Sequence, residues 1–526
     1  MPYDHAYDQR FDPLRRRVLH GAAAVGAATL FPTLSLAQSS LYGLPRHALV
    51  IGNSRYPNSP LENPINDAKA IAGELKAAGF DVTLQLDSGR DVLLNAIEAY
   101  GRQLASRKAV GLFYFAGHGA QLAWRNYLLP VDAVIKSMDD VPARAVELNT
   151  LLQGLTKAKN PMNVIVLDAC RDNPFGKGLP AEKKGLSQFD APPGSLLAYA
   201  TSPGNVASDG SGSHGLYTEH LLRELKTPEA KIEDVFKRVR LAVRRRSNGA
   251  QIPWESTSLE EDFYFHPPKV ISKVSDEEAT RGFERELAIW ERIKTATEPA
   301  PLEDYLRRYP SGLFSEVAQL RLDQVLAKAG ERKIDFVSSA QNPFSKGALR
   351  IDTRVKIGDR YSYRETNAGN HEEIRQYTLV VSQITETEVI YGKGGIVTDL
   401  IGNWIKFNDG RTLTGAQYFI PDYSLGKRWT SRHRTVSAKG NTYDTVVDCK
   451  VAARERRTVP AGAFDAFRIE CSGWARGESG FNIELKSRYW VAAEVRRYIE
   501  GFFWQRTAKG TVLQDINLQL MSFSQS

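Results

Sequence analysis

The stretch VGLFYFAGHG, residues 110–119, and its counterpart NVIVLDACRD, residues 163–172, decide how this chain folds. Each opens on a run of Val, Ile, Leu, Phe and Tyr without polar alternation, over residues 110–115 and 164–167. A run that is apolar on both sides reads as a strand covered on both faces, the condition of a parallel sheet under helices. In such sheets, chemistry gathers beyond the carboxyl ends of the strands. His118 and Cys170 both stand there.

Outward from these two strands, strand-like and helix-like stretches alternate. Residues 47–51 form an apolar run ending at Gly52, and residues 63–78 place Ile65, Ala68, Ile71, Ala72 and Leu75 on one helical face before Gly79. A strand is predicted at 80–84 and helices at 91–106 and 148–157. A further strand at 195–199 precedes helices near 214–226 and 231–246. This order predicts an α/β layer with a mostly parallel sheet. Residues 275–331 are instead charged and helical throughout, with breaks at residues 299–301 and 310–312, and are similar to a tetratricopeptide-type hairpin. From about residue 336 the spacing predicts an antiparallel β domain, a barrel or sandwich, with strands at 378–384, 388–391, 467–469 and 489–492. The expected units are a leading segment 1–40, an α/β domain 41–268, a helical connector 269–334 and a β-rich domain 335–526.

A thiol becomes a nucleophile when a neighbouring base takes its proton or stabilises the thiolate. A His and a Cys at the ends of adjacent parallel strands meet that need. Glycines on both sides of His118 give it a tight turn, and the Gly119 and Cys170 amides are candidates for an oxyanion hole. Standing alone, a Cys after a buried strand is more often a core thiol.

The local sequences add a resemblance. Residues 113–119, FYFAGHG, resemble the histidine motif of caspases, metacaspases and paracaspases, and residues 167–171, LDACR, resemble their nucleophile motif. The offset of 170 − 118 = 52 residues suits that group. Residues 198–204 (AYATSPG), 207–210 (ASDG) and 251–254 (QIPW) resemble its bacterial branch. The resemblance covers about 44–265. It implies a caspase-like fold and a dyad in which His118 is the base and Cys170 forms an acyl-enzyme.

Animal caspases carry Gln two residues before the nucleophile and cleave after Asp. Here that position is Asp168, as in the metacaspases and paracaspases that cleave after Arg or Lys. A carboxylate at the floor of the substrate pocket attracts a cation and repels an anion. The alternative for Asp168 is a structural hydrogen-bonding residue. Asp209 is either a second pocket carboxylate or a turn residue before Gly210. Residues 175–193 hold Lys183 and Lys184, where self-cleavage is one expectation and a plain surface loop the other. The arginines Arg238, Arg240, Arg244, Arg245 and Arg246 read as a solvated face of a helix C-terminus. No metal-ligand spacing is present among the nine histidines, no calcium loop is evident, and no cofactor is expected.

A net charge of +8 on 526 residues, without a nucleic-acid module, excludes nucleic acid as the expected partner. Residues 15–20, RRRVLH, followed by a soft apolar run and SLA at 35–37, fit a twin-arginine export signal cleaved before Gln38. The expected location is periplasmic, without a stable transmembrane anchor; an uncleaved anchor is the alternative. Cys449 and Cys471 are equally spaced about Pro460 in a hairpin-like segment, and pair as a disulfide or stay as two buried thiols. The expected activity is an exported endopeptidase acting on proteins or peptides, with the β domain contacting an envelope or protein partner. The rival is a caspase-fold scaffold with an idle site.

Overall fold

The computed structural model describes residues 41–169, 185–190, 192–205, 207, 212–269, 275–331, 342, 345, 347–478 and 480–525. The leading segment 1–40, Cys170, Lys183, Lys184 and Asp209 lie outside the described residues.

The first unit is built on a six-stranded sheet. Its members are β1 (Arg46–Gly52), β2 (Asp81–Leu86), β3 (Val110–Ala116), β7 (Asn163–Asp168), β8 (Ser195–Tyr199) and β9 (Trp254–Thr257). In chain order, β4 (Gly119–Leu122), β5 (Arg125–Leu128) and β6 (Val146–Glu147) come between β3 and β7 and form a separate small antiparallel sheet. The large sheet runs β2-β1-β3-β7-β8-β9, parallel except for β9. All seven residues of β3 and all six of β7 are buried, which explains their unbroken apolar runs. One row across the sheet is Leu49, Phe113, Ile165 and Leu197, each 0% exposed.

Helices α1 (Pro64–Ala77), α5 (Leu216–Leu225) and α6 (Ile232–Arg246) pack together, as do α2 (Arg90–Arg107) and α4 (Leu148–Ala158). A short α3 (Val141–Arg144) precedes β6. Pro64 starts α1, where its missing N–H costs nothing. Gly79, at φ +82°, ends the turn after it, a conformation an L side chain resists.

The connector consists of α7 (Asp276–Ile293), α8 (Pro299–Arg308) and α9 (Ser315–Lys328). Trp290 and Phe314 stack at 5.4 Å, and the buried Glu286 carboxyl accepts from the Tyr305 hydroxyl and the Leu313 amide. Burial raises the pKa of this carboxyl. A Cβ at Gly312 would lie 2.2 Å from the Glu286 Oε1, so only glycine fits this turn.

The expected solvated arginine face is corrected by the fold for Arg238, Arg240 and Arg244, while Arg245 and Arg246 remain exposed. Arg238 pairs with Glu224, Arg240 with Glu255, and Arg245 with Glu303. Arg244, 11% exposed, bonds both Asp323 on α9 and Glu331. The sequence placed these charges near a helix C-terminus but could not tell that Glu224, Glu255 and the connector pack against them.

Among the described residues, twelve antiparallel strands close into a barrel. They are β11 (Arg360–Asn367), β12 (Glu373–Ile384), β13 (Glu388–Tyr391), β14 (Ile396–Asp399), β15 (Trp404–Lys406), β16 (Thr412–Thr414), β18 (Arg428–Val436), β19 (Thr442–Val459), β20 (Gly462–Gly477), β21 (Asn482–Ala492), β22 (Arg497–Thr507) and β23 (Val512–Ser524). Pairing of β23 with β11 removes the open edge. Outside it, β10 (Ala348–Arg350) pairs with β17 (Asp422–Ser424). β19 and β20 meet at Pro460–Ala461, and Cys449 and Cys471, directly opposite, are joined by a disulfide. Outward positions carry Asp444, Asp448, Lys450, Glu484, Lys486, Arg488 and Arg506, interleaved with the exposed pair Val446 and Trp474. Among the described residues, no helix is long and apolar enough to cross a membrane.

Candidate active site

Parallel register brings the two sequence motifs together. Ala116, the last residue of β3, pairs with Asp168, the last residue of β7. His118 therefore leaves its strand two residues past a paired position, and Cys170 stands two residues past the other. Gly117 donates its amide to the Asp168 carbonyl at 3.3 Å, tying the two strand ends.

His118 is 3% exposed. Its Nε2 is 2.7 Å from the Ser59 carbonyl oxygen, in the segment that follows β1. A carbonyl only accepts, so Nε2 carries the hydrogen and Nδ1 holds the basic lone pair. The ring lies against Tyr56, with centroids 4.4 Å apart. The Tyr56 hydroxyl accepts the His118 amide at 2.9 Å and donates to the Leu129 carbonyl at 3.0 Å. A Cβ at Gly117 would come within 2.6 Å of that hydroxyl, so glycine there admits the tyrosine. Asn53, just past β1, braces the same corner by bonding Ser88 and Leu129. Sequence reading missed Ser59 and Tyr56, because a backbone carbonyl and one aromatic carry no chemical motif.

Gly119 begins β4. The Leu129 amide bonds the His118 carbonyl, so Gly119 and Leu128 form a wide pair that turns the Gly119 amide away from β5. A Cβ at Gly119 would meet the Ala169 carbonyl at 2.7 Å. Glycine thus lets this backbone approach the residue before Cys170. Cys170 itself, the other oxyanion candidate, lies outside the described residues.

Asp168 is 1% exposed and accepts the Thr218 hydroxyl of α5 at 2.9 Å. With that hydroxyl hydrogen committed, the Tyr114 hydroxyl, 2.6 Å from Thr218 Oγ1, is the donor of the next bond. Burial holds the Tyr114 pKa well above its ordinary value, and the charges of Asp168 and Asp67 raise it further. Two carboxylates therefore flank one neutral phenol. Asp67, 0% exposed on α1, accepts from the Gly215 amide and bonds the His214 Nδ1 at 2.8 Å. Asp67 was read only as part of a helix; its neighbourhood to Asp168 comes from packing of α1 against α5. Asp209, the other expected carboxylate, lies outside the described residues. Among the described residues, no group of three or more His, Cys, Asp or Glu is arranged to hold a metal ion.

Comparison with known proteins agrees with this architecture. Residues 45–264 match the family model described as the caspase domain, peptidase family C14. The human mucosa-associated lymphoid tissue lymphoma translocation protein 1 is 27% identical over 162 residues, which is 30% of this chain and 19% of that protein. Its mouse homolog is also 27% identical over 162 residues, covering 18% of its length. The chain thus spans about a fifth of the curated relatives it matches.

Proposed function

We propose that this protein, whose residues 45–264 form a caspase domain, is an exported cysteine endopeptidase that cleaves after Arg or Lys. The observation that carries this reading is the hydrogen bond from His118 Nε2 to Ser59, which turns the basic Nδ1 to the task of a general base. Cys170 is the nucleophile of the reading. His118 takes the thiol proton, the thiolate attacks the scissile carbonyl, and the imidazolium returns the proton to the leaving amine. Water then hydrolyses the thioester. The Gly119 and Cys170 amides hold the oxyanion.

The basic preference is supported by the buried carboxylates of Asp168 and Asp67, whose charges both reach Tyr114. A guanidinium or ammonium entering beside them exchanges its hydration for charge-assisted hydrogen bonds, whereas an anionic side chain is repelled. Export rests on the twin-arginine pattern at residues 15–20, and a periplasmic location is consistent with the disulfide between Cys449 and Cys471. The test compares the protein with its Cys170→Ala variant on peptides ending in Arg, Lys or Asp before a fluorogenic group. Cleavage after Arg and Lys that disappears in the variant supports the reading. Cleavage of none of them, with reductant and with or without calcium, overturns it and leaves a scaffold.

A further inference from the structure

The geometry points to a ligand-binding function in the barrel: its lumen is a site for an uncharged, largely apolar small molecule. A closed barrel of twelve strands is wider than eight, the number at which side chains just fill the interior. Here the side chains leave a cavity of about 330 Å³, within the size of small-molecule sites.

Register identifies the wall. Leu485, Phe503 and Ile516 share the inward face with the buried Tyr489 and Leu518, and Leu413 faces in beside Thr435. These four apolar side chains point inward on a closed barrel yet remain partly exposed. Inward apolar groups of an ordinary core are packed to exclusion. Aromatic rings make the floor: Phe419 lies 5.6 Å from both Tyr489 and Tyr498.

The charges of the lining cancel within the wall. Arg375 grips Glu365 through two hydrogen bonds of 2.8 Å, Arg411 pairs with Asp409 at 2.8 Å, and Lys486, which also borders the cavity, pairs with Glu484 at 2.8 Å. His433, 4% exposed, lines the same cavity and is held neutral by burial. The buried Arg497 is covered from the cavity by the lining rings of Trp404 and Tyr498, so an ionised ligand would lose its water without meeting an uncommitted counter-charge in the lining, whereas an uncharged one gains contact with the apolar wall. The site is independent of the peptidase reading.

The experiment titrates the full-length chain with N-phenyl-1-naphthylamine, an uncharged apolar fluorophore, in parallel with its Leu485→Arg and Ile516→Trp variants. The expected result is saturable binding of one probe per chain, weakened at least about tenfold in the variants. 1-Dodecanol displaces the probe, and ionised dodecanoate at pH 8 does so at least about tenfold less well. Melting curves followed by circular dichroism check folding; if Leu485→Arg unfolds, Ile516→Phe replaces it. The Cys170→Ala protein binds as the parent does. Absence of saturable binding, binding unchanged in folded lumen variants, or dodecanoate competing as well as dodecanol overturns the assignment.

Discussion

The Nε2 of His118 sits 2.7 Å from the carbonyl oxygen of Ser59, a residue 59 positions earlier in the chain. This contact orients the imidazole and selects its tautomer, and Tyr56 fixes the backbone beneath it. His118→Gln keeps a donor for the Ser59 carbonyl at the position of Nε2 but removes the base, and peptidase activity is expected to fall by about 10²–10⁴-fold. Tyr56→Phe leaves the buried His118 amide without its acceptor, costing about 1–3 kcal/mol of stability. Its kcat is expected to fall more than its KM rises. Steady-state kinetics and thermal melts of the two variants check both.

Asp168→Asn preserves an acceptor for Thr218 while removing the charge. Hydrolysis of Arg and Lys peptides is expected to fall about 10²-fold in kcat/KM, the cost of an unpaired buried cation. A citrulline peptide, uncharged but of similar shape, loses much less. Equal losses on arginine and citrulline peptides would count against a pocket carboxylate.

Arg244 joins the caspase domain to the connector through Asp323 and Glu331. Arg244→Met leaves two carboxylates facing each other at a seam where Glu331 is only 12% exposed. The expected cost is about 3–5 kcal/mol, seen as a lower first transition or as two transitions in calorimetry. Arg245, with 72% of its side chain exposed, is the control, and Arg245→Met shifts the melt little.

The disulfide from Cys449 to Cys471 closes a segment with a sequence separation of 22. Replacing both cysteines by Ser is expected to remove about 3 kcal/mol, mostly by freeing the unfolded chain. Barrel unfolding in denaturant shifts to lower concentration, while kcat/KM of the peptidase stays unchanged.

Burial pushes the His433 imidazole down to about 4, below its ordinary 6.5. As pH falls below 6.5, the unfolded chain takes a proton that the folded barrel refuses until near pH 4. Stability therefore drops across that window, by up to roughly 3 kcal/mol from this group. His433→Gln flattens the decline in a pH series of denaturation midpoints; an unchanged slope would contradict it.

Much of the first domain was legible from local pattern. The unbroken apolar runs before His118 and Cys170 required strands covered on both faces, and all of β3 and β7 is buried. The helix ending at Gly79 and the breaks at Pro299 and Gly312 follow from backbone sterics, which act between chain neighbours. Such signals depend on residues a few positions apart, so the linear chain carries them. Tertiary structure alone decided the rest. Ser59 meets His118, Asp67 joins Asp168 around Tyr114, and Arg244 finds the connector because distant segments pack against one another. The barrel shows the same division. Alternation announced strands, but closure by pairing of β23 with β11, and the apolar lumen it creates, depend on register summed around twelve strands. Periodicity says which side chains share a face; only the closed sheet says what that face encloses.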